Sequence, residues 1–179
     1  MVEMVQATRL HPLHAGAVSV GLADNATRVS LRAKPDAIMA LSKALGLDLP
    51  VKPKSTASRG ARTALWIGPD EWLIIDSATS SLVDDLAKVK VLHSAVEVSH
   101  RNVGILVSGK GADAVINGGC PQDLSLKAFP VSAASRTVLG KIEIVLWRMD
   151  EDSFRVECWR SFSTYAYAFL QESARDVAV

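Results

Sequence analysis

Residues 28–34 alternate apolar Val29, Leu31 and Ala33 with polar Arg28, Ser30 and Arg32, the period of two that marks a half-buried strand. Pro35-Asp36 then opens a helix in which Ile38, Leu41 and Leu45 share one face, and Gly46 stops it. Residues 47–60 hold Pro50, Lys52, Pro53, Lys54 and a Ser-Thr-Ala-Ser run. They read as a loop, and as the segment best placed to move or to grip a partner. Residues 63–68 and 71–76 are apolar runs joined through Pro69-Asp70, which predicts a hairpin. Ser80 or Ser81 caps the next helix, whose buried face carries Leu82, Leu86 and Val89. Asp84 and Asp85 lie early in it and Lys88 and Lys90 late, the charge order that the helix dipole favours.

A similar strand and helix rhythm follows residue 95. Residues 95–99 and 103–108 read as a hairpin-like pair, and 111–117 as a short helix closed by Gly118-Gly119. Residues 138–148 and 154–160 pair as a long hairpin around an acidic turn. Ser161 caps a final helix whose Phe162, Tyr165 and Phe169 face one way. Connections this short force antiparallel pairing. The predicted class is α+β, one largely antiparallel sheet with helices packed on one side and a hint of two similar halves. Residues 1–27 form a partly irregular N-terminal segment, and 28–179 a single domain.

The chain has 179 residues, about one domain by the usual prior. It carries 20 basic and 19 acidic side chains, net +1, with no basic patch of the kind that tracks nucleic acid. No apolar run is long enough for a membrane span, and residues 1–14 lack a secretory apolar region, so the expected location is cytoplasmic. Cys120 and Cys158 sit far apart without a CxxC pair or a His neighbour, and read as reduced core thiols. His11 and His14 have no companion ligands, so no metal site is expected. At 49%, the hydrophobic share points to an apolar surface covered by a partner.

Ser99-His100 invites a nucleophile reading, but neighbours in a strand point to opposite faces and cannot act as nucleophile and base. His100 reads instead as a polar residue at a strand end. Gly109-x-Gly111-x-x-Ala114 matches a relaxed dinucleotide fingerprint, yet the helix is stopped early by Gly118-Gly119. The glycines therefore serve the strand-to-helix turn, and no flavin or nucleotide is expected here. Arg160 either binds an anionic group or forms a surface ion pair with Glu157 or Glu172. Trp66 and Trp72 bracket the turn 68–71; one suits the core and the other an interface.

Several of these segments fall in a familiar order. Glu97-Val98-Ser99-His100 precedes a strand and a Gly-opened helix. Arg136-Thr137, a strand ending Leu146-Trp147-Arg148, an acidic turn and Arg160-Ser161-Phe162 follow, with Gly68-Pro69-Asp70-Glu71-Trp72 upstream. The succession resembles the folate-binding domain of glycine-cleavage aminomethyltransferases and, more narrowly, the gamma subunits of heterotetrameric sarcosine oxidases. The resemblance covers nearly the whole chain and is strongest over 62–76 and 95–171. It implies a non-catalytic assembly subunit of an enzyme that oxidatively demethylates sarcosine to glycine with folate as one-carbon acceptor. The alpha, beta and delta subunits would be its partners, and FAD, FMN, NAD and zinc would be held by them rather than by this chain.

In the aminomethyltransferases a double Asp handles folate and the aminomethyl group. Counting back from Trp147-Arg148, that pair is here Ile142-Glu143, so one acid is lost and the other lengthened. The resemblance leaves His100, Glu143 and Arg160 as candidates for a relic tetrahydrofolate pocket, and it assigns no catalytic residue. The alternative is a stand-alone folate-binding or aminomethyl-transferring protein. Such transferases carry further domains, which 179 residues do not accommodate, so a subunit is the expectation.

Overall fold

Two short strands, Leu13–Ala15 (β1) and Val18–Leu22 (β2), begin the fold in the computed structural model, which describes residues 11–78 and 81–178. Thr27–Ala33 (β3) leads through a 3-10 turn at Pro35–Ala37 into the helix Ile38–Leu45 (α1). Gly46 ends α1 in the left-handed region at φ 70°, where a side chain would be strained. Thr56–Arg59 (β4), Arg62–Gly68 (β5) and Glu71–Asp76 (β6) form a meander, followed by Leu82–Ala87 (α2) and His93–Glu97 (β7). Then come Asn102–Ser108 (β8), Ala112–Asn117 (α3), Ala134–Leu139 (β9), Ile142–Asp150 (β10), Ser153–Trp159 (β11) and Ser163–Val177 (α4).

The strands pair antiparallel, as expected, but in two sheets rather than one: β1-β2-β8-β11-β10-β9 and β4-β5-β6-β3-β7. The segments 95–99 and 103–108 are therefore not a hairpin. Val98 N–H still donates to the Arg28 carbonyl at 2.8 Å, holding the chain to β3. The Val98 carbonyl then accepts from Arg101 and Asn102, and this turn throws β8 across to the other sheet.

Both halves share one plan of strand, helix, three-strand meander and helix. Their strand orders correspond, β4-β5-β6-β3 with β9-β10-β11-β8. The expected long strand 138–148 is divided by a turn at Gly140, whose φ of 58° needs no Cβ strain, so β9, β10 and β11 form the second meander. Residues 56–59 of the expected loop are the edge strand β4, and Leu47 and Leu49 of the same segment are buried. Within residues 1–27, β1 and β2 belong to the six-stranded sheet.

Each sheet packs helices on one face and the other sheet on its second face. Ile105, Val107, Ile144, Leu146, Phe154 and Val156 pack with α3 and α4. Val29, Leu31, Trp72 and Ile74 pack with α1 and α2. Leu65, Leu73, Ile75, Ala134, Val145 and Trp147 meet between the sheets. Fully burying each Val, Leu, Ile or Phe among them contributes roughly 1.5–3 kcal/mol.

The last helix differs from expectation in its start, while Tyr165 and Phe169 do lie side by side, their ring centroids 6.1 Å apart. Arg160–Phe162 is a 3-10 turn, and Ser161 makes no cap; the Ser163 hydroxyl instead donates to the Arg160 carbonyl at 2.8 Å. The buried side of the helix carries Ser163, Ala166, Tyr167, Leu170 and Ala174, while Phe162 and Tyr165 are exposed. Of the two candidate caps for α2, Ser80 lies outside the described residues. Ser81 holds the N-cap position, with its hydroxyl on the Asp85 carboxylate rather than on a backbone N–H.

Candidate functional site

Strand alternation places Arg28 of β3 and Arg155 and Glu157 of β11 on the faces that look at each other across the sheets. Arg28 Nε donates to Glu157 Oε2 at 2.6 Å, and Arg155 Nε donates to Glu157 Oε1 at 2.7 Å. All three are nearly excluded from solvent, so Arg28, expected on a solvent face, is a core residue. Arg28 Nη1 also donates to the Ala26 carbonyl at 3.0 Å. Arg155 Nη2 and the nearby strand's Asn102 Oδ1 are buried without a partner. Gly104 faces Glu157 so closely that a Cβ there would lie 2.7 Å from Glu157 Oε1 and 2.9 Å from Arg155 Nη2. The space between the sheets is thus filled by the chain's own side chains.

The sequence signatures resolve into structural ties around this seam. Ser99 Oγ accepts from Arg28 N–H at 2.9 Å and donates to Glu97 Oε1 at 2.9 Å, which explains the Glu97-x-Ser99 pattern without catalysis. Asp70 offers its carbonyl to Ala33 N–H at 3.0 Å. Glu71 bridges Arg32 at 3.1 Å and Arg136 at 2.8 Å, joining the two sheets a second time. Burial would raise the Glu71 pKa, but hydrogen bonds and charge from Arg136 and Arg32 outweigh it and hold the carboxyl below its ordinary range. Arg148 is buried with its guanidinium 4.4 Å from the Phe154 ring centre. It donates to the carbonyls of Glu151 and Leu124, tying the turn after β10 to the loop before β9.

The three candidates for a relic pocket do not converge. His100 lies exposed in the turn beyond β7, not within a strand, and its carbonyl accepts from Arg160 Nε at 2.7 Å. Glu143 is exposed on β10, with Arg136 Nε at 3.8 Å, an arginine pairing on a strand face. Arg160 pairs with neither Glu157 nor Glu172, since the first is held by Arg28 and Arg155 and the second by Arg175. A shallow depression of about 360 Å³ beside the seam is lined by Asn25, Thr27, Ser77, Glu97 and Ser99, none of them one of these three.

Of the two tryptophans that bracket the turn, one is a core ring. Trp72 is fully buried, with Nε1 donating to the Pro50 carbonyl at 2.7 Å, so it is a core ring and offers nothing to a partner. Trp66 is half-buried against the same core. Trp159, which no sequence motif marks, is 46% exposed at the end of β11. The glycines at 109 and 111 serve the strand-to-helix turn. Gly109 has φ 109°, and a Cβ there would collide with the Ala17 carbonyl at 1.9 Å.

Two antiparallel sheets with matching strand orders and outer helices define an aminomethyltransferase-type fold. The glycine cleavage system aminomethyltransferase T from Bartonella henselae is similar at TM-score 0.68 and 15% identity, over 90% of this chain and 50% of that one. Within that fold, the chain belongs to the sarcosine oxidase gamma subunit family, whose model matches residues 30–176. A sarcosine oxidase subunit gamma from Arthrobacter sp. is 37% identical over 149 residues, covering 79% of this chain and 72% of the relative. That from Corynebacterium sp. strain P-1 is 31% identical over 169 residues, covering 92% and 83%. A chain of the heterotetrameric sarcosine oxidase from Corynebacterium sp. U-96, solved with pyrrole 2-carboxylate, is similar at TM-score 0.87 and 27% identity, over 95% of this chain and 90% of that one.

Proposed function

We propose that this chain is an assembly subunit of a heterotetrameric sarcosine oxidase, contributing no reaction centre of its own. Family membership supports its place in such a complex. The observation that carries the non-catalytic part is the seam: Arg28, Glu157 and Arg155 occupy the space between the sheets, while His100 and Glu143 stand exposed at separate places. In this reading the alpha, beta and delta subunits are the partners and hold FAD, FMN, NAD and zinc. The complex demethylates sarcosine with folate as acceptor and works in the cytoplasm. No helix among the described residues is long and apolar enough to cross a membrane.

Co-purification of the tagged chain from its native host, with identification of the recovered proteins, tests the assembly role. Other oxidase subunits in stoichiometric amount are expected. Tetrahydrofolate titrated into the isolated chain tests the alternative of a stand-alone folate-binding protein. Saturable binding at micromolar concentration, with no oxidase subunit recovered, would replace the proposal. Glu143→Gln in the assembled enzyme is expected to leave turnover nearly unchanged; a tenfold loss, about 1.4 kcal/mol of barrier, would return Glu143 to a catalytic role.

A further inference from the structure

Strand β11 leaves its sheet at Trp159, and the 3-10 turn that follows brings Phe162 back over it. The two rings stack with centroids 6.0 Å apart and planes inclined by 17°, and both remain exposed, at 46% and 40%. The Arg101 guanidinium lies over the Trp159 ring, 5.2 Å from its centre. Arg160 locks the two turns together: its main-chain N–H donates to the Arg101 carbonyl at 2.6 Å and its Nε to the His100 carbonyl at 2.7 Å. The platform is therefore held in place before anything binds, which lowers the entropic cost of docking.

Its chemistry is that of an interface centre. Trp and Arg dominate interface energies, and exposed stacked rings gain most when a partner removes them from water. Its charge narrows the partner. The ionisable side chains of the two turns, His100, Arg101 and Arg160, are all basic. Neither arginine has a carboxylate within ion-pair distance among the described residues. We infer that the Trp159–Phe162 platform docks a face of another oxidase subunit that presents carboxylates around an apolar recess. This deepens the assembly reading and rests on it.

A second copy of this chain fits less well, because an isologous contact would set Arg101 and Arg160 against their own counterparts. Nucleic acid is disfavoured by a net charge of only +1, which supplies no extended basic track beyond the patch.

The test co-expresses the tagged chain with the other subunits of its host's oxidase and quantifies the subunits recovered on the tag. Arg101→Glu combined with Arg160→Glu is expected to lower recovery at least tenfold, with circular dichroism unchanged. Trp159→Ala is expected to do the same, and wild-type recovery is expected to fall as salt rises, since exposed charges are screened. Met39→Ser, at an 83% exposed position on α1, is the control that should assemble normally. Should Trp159→Ala unfold, the charge-reversal pair decides. A wild type that assembles beside variants that assemble equally well overturns this inference alone. A wild type that recovers no oxidase subunit overturns the assembly reading, and this inference with it. An isolated chain that dimerises through Trp159, or binds RNA through Arg101, overturns it in favour of that occupant.

Discussion

Arg28 Nε and Glu157 Oε2 are 2.6 Å apart, joining a strand of one sheet to a strand of the other in a place nearly closed to water. Arg155 shares the same carboxylate from the opposite oxygen. One acid thus compensates two buried cations, so the seam depends on Glu157 more than on either arginine.

Glu157→Ala should therefore destabilise the chain by about 3–5 kcal/mol, the range for stranding a buried charge. Urea unfolding followed by circular dichroism measures it. A loss below about 1 kcal/mol would mean that water reaches the seam and screens both arginines.

Trp72→Ala should cost about 3–5 kcal/mol through the cavity left among Val29, Leu31 and Ile74. Trp72→Phe should cost about 1–3 kcal/mol, because the Pro50 carbonyl loses its donor. A Trp72→Ala chain that keeps its full unfolding midpoint would contradict the core assignment.

Cys158 should be chemically silent in the folded chain. Burial, reinforced by the Glu157 carboxylate, pushes its thiol up to about 12, against a smaller opposing effect of Arg28. At pH 8 the thiolate fraction is then on the order of 10⁻⁴. Cys120 is also buried. Reaction with a thiol reagent should appear only in denaturant, so rapid labelling of native protein at Cys158 would contradict this environment.

Glu71 gives stability a specific dependence on acid. Its folded pKa lies below the ordinary 4.5, so its contribution is complete above that value and disappears as pH falls through the folded pKa. The stability gap between wild type and Glu71→Gln should be constant near neutrality and shrink below about pH 4.5. Paired melts at pH 7, 5 and 3 measure it; a gap unchanged at pH 3 would rule out the carboxylate as its source.

The parts legible in the sequence were those set by local signals. Val29, Leu31 and Ala33 alternate, Gly46 stops a helix, and Pro69-Asp70 turns a hairpin, so β3, α1 and the β5–β6 pair stand as read. Periodicity along one strand cannot say which strand lies beside it, which is why β7 and β8 read as partners. It also cannot reveal a second sheet, so Arg28 read as solvated when its face is covered by β11. In α4 the buried face carries Ser163, Ala166, Tyr167, Leu170 and Ala174, a mixture of small, polar and aromatic side chains that the spacing of Phe162, Tyr165 and Phe169 does not mark. Trp159 gives no sequence signal of its exposure, because a tryptophan at a strand end looks the same whether its ring turns inward or out.

The two halves finish their sheets differently. In the six-stranded sheet β2 flanks β8 and is itself covered by β1, whereas the corresponding strand β7 ends its sheet with no further strand beside it among the described residues. Leu92 and Val96 stand 78% and 54% exposed along that border. An open edge with apolar side chains is a template on which other chains add. The protein made alone in a cell would therefore be the vulnerable state, prone to clump or to occupy chaperones.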